Sequence, residues 1–496
     1  MNCVNGTIIS LLSPRQQRVN SVLAHQFSQA GVELYLVGGV IRDALLSGQG
    51  DGDLDYSTSA TPTQSRQLLE QGAASAVYLI GERFGTVAAI FDQRPNAVNV
   101  EITSYRREVY PNDTRFPEIE FNATLADDLG RRDFTMNAIA VEARTGEVVD
   151  PWDGRADIAT ALVRAVADAD ERFQEDPLRL LRAARFVAQL GFRLDPPTEE
   201  AMTRQAHNLS RISQERILAE LTRLLLGPYV DHGLDVLRRT GLLEIALPEL
   251  TQLAAEAGAS APSRPGREKD LWDHTIRVVH QTPARAAVRW AALLHDAGKP
   301  LTRSVDQDGD IHFFGHELVG SNIASRTLNR LKADKTLRSS VRALVELHGR
   351  PASYDASWTD SAVRRLALGA GVNWDDLLDL AAADVTSGRE RKRIEATRRV
   401  SDLRQHFQRL QEETELSKID SPLDGDDLMR MFELPPGPWI KRVKQTLRDM
   451  VIDGELSSGD RDRAAVIARS LVREDHALHD GKGPDAIADS EPRISP

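Results

Sequence analysis

The sequence predicts an α+β fold: a small mixed α/β head, then an all-α neck and body, then a second all-α domain rich in His and Asp. Three observations predict it. Short apolar runs of strand length, closed by glycines and turn residues, are confined to the stretch before Asp150. After Pro151, apolar residues recur at helical spacing, and Gly191, Gly227 and Gly241 close the segments. The 496 residues are 41% hydrophobic and 27% charged, an ordinary globular composition with room for several cores. The expected head covers 1–150 and the helical neck and body 151–256. A linker follows over 257–267, read from the Gly-, Ser-, Pro- and Ala-rich bridge Ala257–Gly266. The His- and Asp-rich domain covers 268–400, a C-terminal helical region 401–475, and a disordered tail 476–496.

Lys and Arg number 62 against 74 Asp and Glu, a net charge of −12. A uniformly basic surface that wraps nucleic acid is thereby excluded. A local basic groove is not, because association follows the distribution of charge. One cysteine, Cys3, excludes an internal disulfide and a cysteine-rich zinc ribbon. It also points to a reducing compartment. No apolar run approaches the ~20 residues of a membrane span, and Met1–Ser13 carries no basic residue ahead of its short apolar stretch. A cytoplasmic protein without a membrane partner is expected.

In the head, Glu33–Val37 is an apolar run that ends at Gly38-Gly39, a buried strand entering a tight turn, and Val40–Leu46 starts a helix. Asp53–Tyr56 alternates as a strand does, and Ala60–Thr63 opens a helix that runs through Leu69. Thr86–Phe91 and Val98–Thr103 are further strands. Tyr105–Pro117 is an irregular stretch bearing Arg and Pro, expected to be mobile. Beyond it, Pro177–Leu190, Pro197–Ala206, Ser213–Leu226 and His232–Arg239 are expected helices.

Asp53 and Asp55 sit two apart on the expected strand, so their carboxylates project from one face. Carboxylates that close repel unless a cation lies between them, and Mg²⁺ shared with phosphate oxygens is the natural occupant. Glu101, on a strand that could run alongside, is a third candidate ligand. Upstream, Gly38-Gly39-Val40-Ile41-Arg42-Asp43 follows a strand and opens a helix. Glycines admit a triphosphate to the backbone, a helix N-terminus offers free N–H groups, and Arg42 adds a cation. Read alone, each fragment is equally a solvated acidic turn or a Gly-Gly bend beside a surface Arg-Asp pair. Together they read as a triphosphate-and-metal site.

With these residues the chain resembles the head of the polymerase-β nucleotidyltransferase superfamily, and more narrowly the class II tRNA CCA-adding enzymes and bacterial poly(A) polymerases. Gly81–Val87 and the Val100-Glu101-Ile102-Thr103 run with Tyr105 and Arg106 also fit that family. Arg131–Ala138 matches its sugar-recognition motif without a gap. There Arg132 suits bidentate phosphate binding, Asp133 suits ribose hydroxyls, and Asn137 completes the set, although a self-satisfied capped turn reads the same way. Glu175-Asp176-Pro177-Leu178-Arg179 matches the family's Glu-Asp-x-x-Arg motif. Asp176 is a good N-cap, and Arg179, Arg182 and Arg185 recur every three residues along one face. The resemblance implies that Asp176 and Arg179 read the Watson–Crick edge of C or A without a template, and that Arg182 and Arg185 neutralise the triphosphate. Cap and base reader both stand for Asp176. The basic loop with Arg106, Arg107, Tyr110 and Arg115 resembles the family's flexible loop, expected to move between C and A addition.

After the linker, His274, His295-Asp296, His316, His348 and Asp384 fall on separate expected helices. Neutral imidazoles and carboxylates together suit one or two divalent transition metals that activate water on phosphate esters. The run Leu293–Pro300 with His274 and Asp384 resembles the HD phosphohydrolases. That resemblance implies His274, His295, Asp296 and Asp384 as ligands, with His316 and His348 completing a second metal.

The leading expectation is Mg-dependent addition of C and A to the 3′ end of tRNA from CTP and ATP, with RNA contacts along Arg193–Arg239. Two other readings stand beside it: a bacterial poly(A) polymerase, and a metal-dependent phosphohydrolase whose head is not catalytic.

Overall fold

The computed structural model describes the chain except residues 1–7, 51, 73, 81–84, 93–96, 110–117, 121–122, 256–270, 386–389, 414–419 and 480–496. Cys3, Asp51, the 81–84 part of the head motif, Tyr110 and Arg115, and the linker Ala257–Gly266 lie outside the described residues.

The head is a seven-stranded sheet with α1 (Pro14–Gln29), α2 (Gly39–Ser47) and α3 (Pro62–Gln71). The strands are β1 (Leu34–Val37), β2 (Leu54–Thr58), β3 (Ala74–Ile80), β4 (Thr86–Phe91) and β5 (Val98–Ser104). A small separate hairpin, β6 (Arg107–Val109) with β7 (Glu118–Glu120), precedes β8 (Ala140–Glu142) and β9 (Val148–Val149). The sheet order is β3-β4-β5-β2-β1-β8-β9, with β2 and β5 parallel and the other neighbours antiparallel. That order sets the two strands carrying the expected acids side by side at the centre. Capping boxes start α1 at Ser13 and α3 at Thr61, each followed by Pro, so both helix starts are written locally. Leu23, Phe27, Leu36, Tyr56 and Ile102 are buried in one core.

The remainder is helical, with two departures from the all-α expectation. Leu162–Val163 pairs in parallel with Arg193–Leu194, and Ser304–Val305 pairs with Ile311–His312. Both ladders are two residues long, too short to leave a strand period in the sequence. The stretch expected to be irregular over 105–117 contains β6, paired with residues beyond it. One hydrophobic core runs from the head through the neck to Leu410, and a separate one gathers Leu423, Leu428, Val443, Leu447 and Ala468. The helix Glu390–Glu413 crosses the boundary expected at 400, and Arg461–His479 carries helix four residues past 475, because in neither place does a Gly or Pro break the helical run. Among the described residues no helix is long and apolar enough to cross a membrane.

Candidate functional site

β1 ends at Val37, and the chain turns through Gly38 at φ 81°, in the left-handed region, into α2. Only glycine takes that conformation without strain, and here it also gives close approach: a Cβ on Gly38 would stand 3.2 Å from Asp55 Oδ2. Asp55 therefore faces the bend, as its register partner Val37 dictates. Glu101 is the parallel partner of Asp55 on β5. Asp53 stands one residue ahead of β2 rather than within it, exposed, its Oδ1 accepting from Asn99 Nδ2 at 3.0 Å. Burial pushes the Asp55 carboxyl up to about 6, Glu101 and Asp53 push the same way, and Arg132 opposes them. Carboxylates crowded around one half-buried acid are a donor set for a hard divalent cation.

A cavity of about 640 Å³ opens beside this edge. Gly38, Gly39, Arg42 and Asp55 line it with Arg132, Asp133 and Asn137, and Asp176, Arg179, Arg182 and Arg185 join them from the Leu178–Leu190 helix and the residues before it. The structure thus brings together in one cavity motifs more than 140 residues apart in the chain. Of the expected nucleotide-binding residues only Asp43 lies outside the lining, where it pairs with Arg42 at 2.8 Å.

The charged groups of the arginine face are held before any ligand arrives. Arg42 donates to Asn137 Oδ1 at 2.9 Å. Arg132 pairs with the fully buried Asp128 at 3.1 Å and donates to Ser57 Oγ. Asp133 accepts from the Phe134 N–H, from Asn137 Nδ2 and from Arg182 Nε at 2.8 Å. Burial alone would raise the Asp133 pKa, but the Arg182 cation and these donors outweigh it and lower it to about 2. Arg185 lies 3.0 Å from Glu220, itself buried, and burial, with the charge of Arg182, brings the guanidinium down to about 10. Asp176 divides its oxygens: Oδ1 accepts the Leu178 N–H at 3.1 Å, capping the helix, and Oδ2 meets Arg216 Nη2 at 3.2 Å. Arg179 is fixed by Glu175, by the Arg172 carbonyl and by the Arg131 carbonyl.

Several lining residues escaped sequence reasoning. Arg216 and Arg223 come from the Gln214–Leu225 helix, and Glu220 of the same helix holds Arg185 and Arg223. Phe186 is the hub of the arginine face: the guanidinium carbons of Arg42, Arg182 and Arg185 lie 5.2, 5.6 and 4.3 Å from its ring centroid. Such contacts favour a cation by about 0.5–2 kcal/mol, so one ring gathers three charges.

The second constellation also assembles, at helix ends rather than along helices. His295 and Asp296 follow the Ala286–Leu294 helix, His348 follows Lys335–Leu347, Asp384 follows Trp374–Ala383, and His316 opens His316–Arg330. His274 lies within Leu271–Gln281. His274, His295 and Asp384 form one group whose ligand atoms lie within 4.8 Å of one another, and Asp296, His316 and His348 form another. Asp296 joins them: its Oδ2 is 3.4 Å from His274 and 3.2 Å from His295, and its Oδ1 is 3.6 Å from His316 and 4.0 Å from His348.

The ring nitrogens are oriented for metal binding. Nδ1 of His295, His316 and His348 each lies 2.7–2.8 Å from the carbonyl three residues back, which can only accept. Each of these Nδ1 atoms therefore carries a proton, and Nε2, turned toward the cluster, is the nitrogen that a metal would take. Asp296 Oδ1 is buried without a hydrogen-bond partner. The donor set fits a pair of divalent ions. Gly298 permits the packing, since a Cβ there would stand 2.3 Å from the His316 carbonyl oxygen. Lys299, 2.6 Å from Asp296 Oδ2, is a neighbour that sequence reasoning did not count.

Residues 34–164 match the Poly A polymerase head domain, 191–253 a probable RNA and SrmB-binding site of polymerase A, and 268–388 the HD domain. The chain is 32% identical over 448 residues to the CCA-adding enzyme of Geobacillus sp. (strain WCH70), covering 90% of this chain and 95% of that one. It is also 32% identical over 443 residues to the A-adding tRNA nucleotidyltransferase of Deinococcus radiodurans, covering 87% and 94%. The crystal structure of the Bacillus stearothermophilus CCA-adding enzyme in complex with CTP matches with a TM-score of 0.64 at 27% identity, over 95% of this chain and 100% of that one. With a likeness that spans nearly the whole of both chains, this protein belongs to the class II CCA-adding enzyme family.

Proposed function

We propose that this chain adds C and A residues from CTP and ATP to the 3′ end of tRNA in the cytoplasm. The observation that carries the reading is the single cavity in which the Gly38–Asp55 edge faces Asp176 and Arg179. Asp53 and Asp55, with Glu101 beside them, hold Mg²⁺, which when bound supplies polarisation of the attacking hydroxyl and of the leaving pyrophosphate. The RNA 3′ hydroxyl gives its proton to solvent as its oxygen attacks the α-phosphorus, the bond from that phosphorus to the α–β bridging oxygen breaks, and pyrophosphate leaves in line. Gly38 and Gly39 admit the phosphates to the backbone, and Arg42, Arg182 and Arg185 neutralise them. Arg132, Asp133 and Asn137 hold the sugar and its phosphate. Asp176 offers an acceptor, and Arg179 a donor, to the edge that C and A share; U and G present mismatched groups there. The basic stretch around Arg106 shifts between C and A addition.

For the helical domain we propose a metal-dependent phosphohydrolase or phosphodiesterase, with His274, His295, Asp296 and Asp384 as ligands and His316 and His348 completing a second transition-metal ion.

The deciding experiment supplies tRNAs trimmed by one, two and three 3′ nucleotides with CTP and ATP, and sequences the product ends. Three-nucleotide repair ending in A is expected. Growth only on ends that already carry both C residues would favour the second reading, A addition alone, which the Deinococcus relative supports. Continued growth with ATP alone would mark a poly(A) polymerase. Hydrolysis without nucleotide incorporation would leave the phosphohydrolase reading.

A further inference from the structure

Four of the fourteen large apolar side chains that stand exposed among the described residues fall close together in sequence beside the histidine cluster: Leu301, Val305, Phe314 and Leu318. Phe314 is the most open of them, 78% exposed. It is nevertheless a supported ring. His312 stacks on it, with centroids 5.1 Å apart and planes 11° from parallel. His312 is fixed in turn by Asp306, whose Oδ2 lies 2.7 Å from its Nε2. The backbone N–H groups of Asp308 and Asp310 hold Asp306 from the turn of the same hairpin. The arrangement is a braced aromatic face that presents one side to solvent.

The hairpin of Ser304–Val305 and Ile311–His312 is tied to the cluster at both ends. Ahead of it, Lys299 reaches Asp296 and lies 5.7 Å from the centroid of the Phe313 ring. Behind it, the Phe313 carbonyl accepts from His316 Nδ1 at 2.8 Å, and the other nitrogen of that ring faces Asp296. A flat face, a cation and a phosphate-suited donor set therefore follow one another along a single short segment.

We propose that the His312–Phe314 stack is a nucleobase platform of this second centre, taking the base of a nucleotide or of an RNA 3′ end whose phosphate lies at the Asp296 cluster. The proposal rests on the reading of that cluster as a phosphoester site. Stacking on an aromatic ring tolerates any base, because every base has a π-face. Leu301 and Val305 add apolar surface, and Lys299 balances the phosphate charge. The platform makes the centre select esters that carry a base over esters that do not.

The test uses the full chain with 4-fluorophenylalanine at position 314 and follows its fluorine resonance with the diamagnetic ion Zn²⁺ present. Adenosine 2′,3′-cyclic phosphate and an RNA ending in a 3′-phosphate are expected to move the resonance, and inorganic phosphate to leave it in place. Whichever acts at lower concentration identifies the source of the base. In parallel, Phe314→Ala is expected to raise KM for adenosine 2′,3′-cyclic phosphate about tenfold, with KM for glycerol 1,2-cyclic phosphate unchanged and Phe314→Trp restoring the first value. A fluorine that moves while no ester is hydrolysed with any divalent metal would bring down the hydrolytic reading and support the platform. A fluorine unmoved by base-bearing probes, moved equally by phosphate, or moved only with protein concentration would overturn the platform, the last marking a contact between protein copies.

Discussion

The two centres of this chain handle charge in opposite ways. Among the described residues eight arginines and three aspartates line the head cavity, and its most buried guanidiniums are each held by an acid: Arg185 by Glu220, Arg179 by Glu175, Arg42 by Asp43. Positive charge is left over, in a protein whose total is −12. In the helical domain the excess is of ligand atoms. Four imidazoles and two carboxylates converge, with Asp296 shared between the two groups. The first arrangement suits a ligand that brings its own negative charge, and the second suits a cation. A buried arginine needs its carboxylate to remain ordered in the free protein, so the head cavity carries a scaffold of acids behind its arginine face.

The hardest way to break the comparison is to disable one centre and read the other. Asp55→Asn should lower nucleotide incorporation on the order of 10³-fold, about 4 kcal/mol of transition-state stabilisation, and leave ester hydrolysis untouched. His295→Ala should do the reverse. Both rates are measured on the same preparations. A tenfold fall in the undisturbed activity of either variant would show that the centres are not separate.

A smaller effect sharpens the account of the head. Asp176→Ala should narrow the preference for CTP and ATP over UTP and GTP by about 10–100-fold, the 1–3 kcal/mol of a lost base-reading contact. It should also destabilise the protein by about 1 kcal/mol, because the Leu178 N–H loses its cap. Misincorporation assays and chemical denaturation separate the two roles. Unchanged selectivity with reduced stability would make Asp176 a cap alone.

What was legible in advance follows the range of the signal. The bend Gly38-Gly39, Asp55 on its strand, the cap at Asp176 and the ends of most helices are local features, fixed by residues within a few positions of one another; Asp53, expected on the same strand, falls one residue ahead of it. The histidine cluster was also readable, because imidazole and carboxylate are scarce on otherwise apolar helices and few other roles gather them. Glu220, Arg216 and Arg223 were not found, since their helix has the spacing of any amphipathic one. A signal was nevertheless present: Glu220 falls on the apolar stripe of Ile217, Leu221 and Leu224, where an acid remains only if a buried cation meets it. Asp128 offered less, since an acid ahead of Arg131-Arg132 reads equally well at a helix surface. The short ladder Ser304–Val305 with Ile311–His312 left no trace because two residues make no period.

A backbone substitution tests whether the bend serves chemistry or only folding. Gly38→Ala meets both a left-handed φ and Asp55 Oδ2 at 3.2 Å, whereas Gly48→Ala meets the same φ region with nothing within 4 Å. Gly48→Ala should cost about 1 kcal/mol of stability, and Gly38→Ala, at ψ −146° outside the left-handed helical well, about 1–3 kcal/mol. Only Gly38→Ala should also reduce kcat, by about tenfold or more, since it displaces the carboxylate. Equal kinetics in the two variants would reduce the bend to a turn.

The last contrast lies within the head, where two aspartates of one cavity should answer pH in opposite senses. Asp133 is held at about 2, below its unfolded value, so the stability it contributes is present above pH ~4 and lost as pH falls through about 2. Asp133→Asn should therefore cost about 2 kcal/mol at pH 7 and progressively less below pH 4. Asp55 is raised to about 6, so its contribution is present below pH ~4 and lost as pH rises through 6. In chelator-treated protein, Asp55→Asn should be the more stable chain at pH 7 by about 2–3 kcal/mol, a gap that closes toward pH 4. Added Mg²⁺ should then stabilise only the chain that keeps Asp55. Denaturation curves at pH 3, 5 and 7 resolve both trends. Parallel slopes for the two variants would mean that the acid edge and the arginine face do not differ in charge balance as the geometry requires.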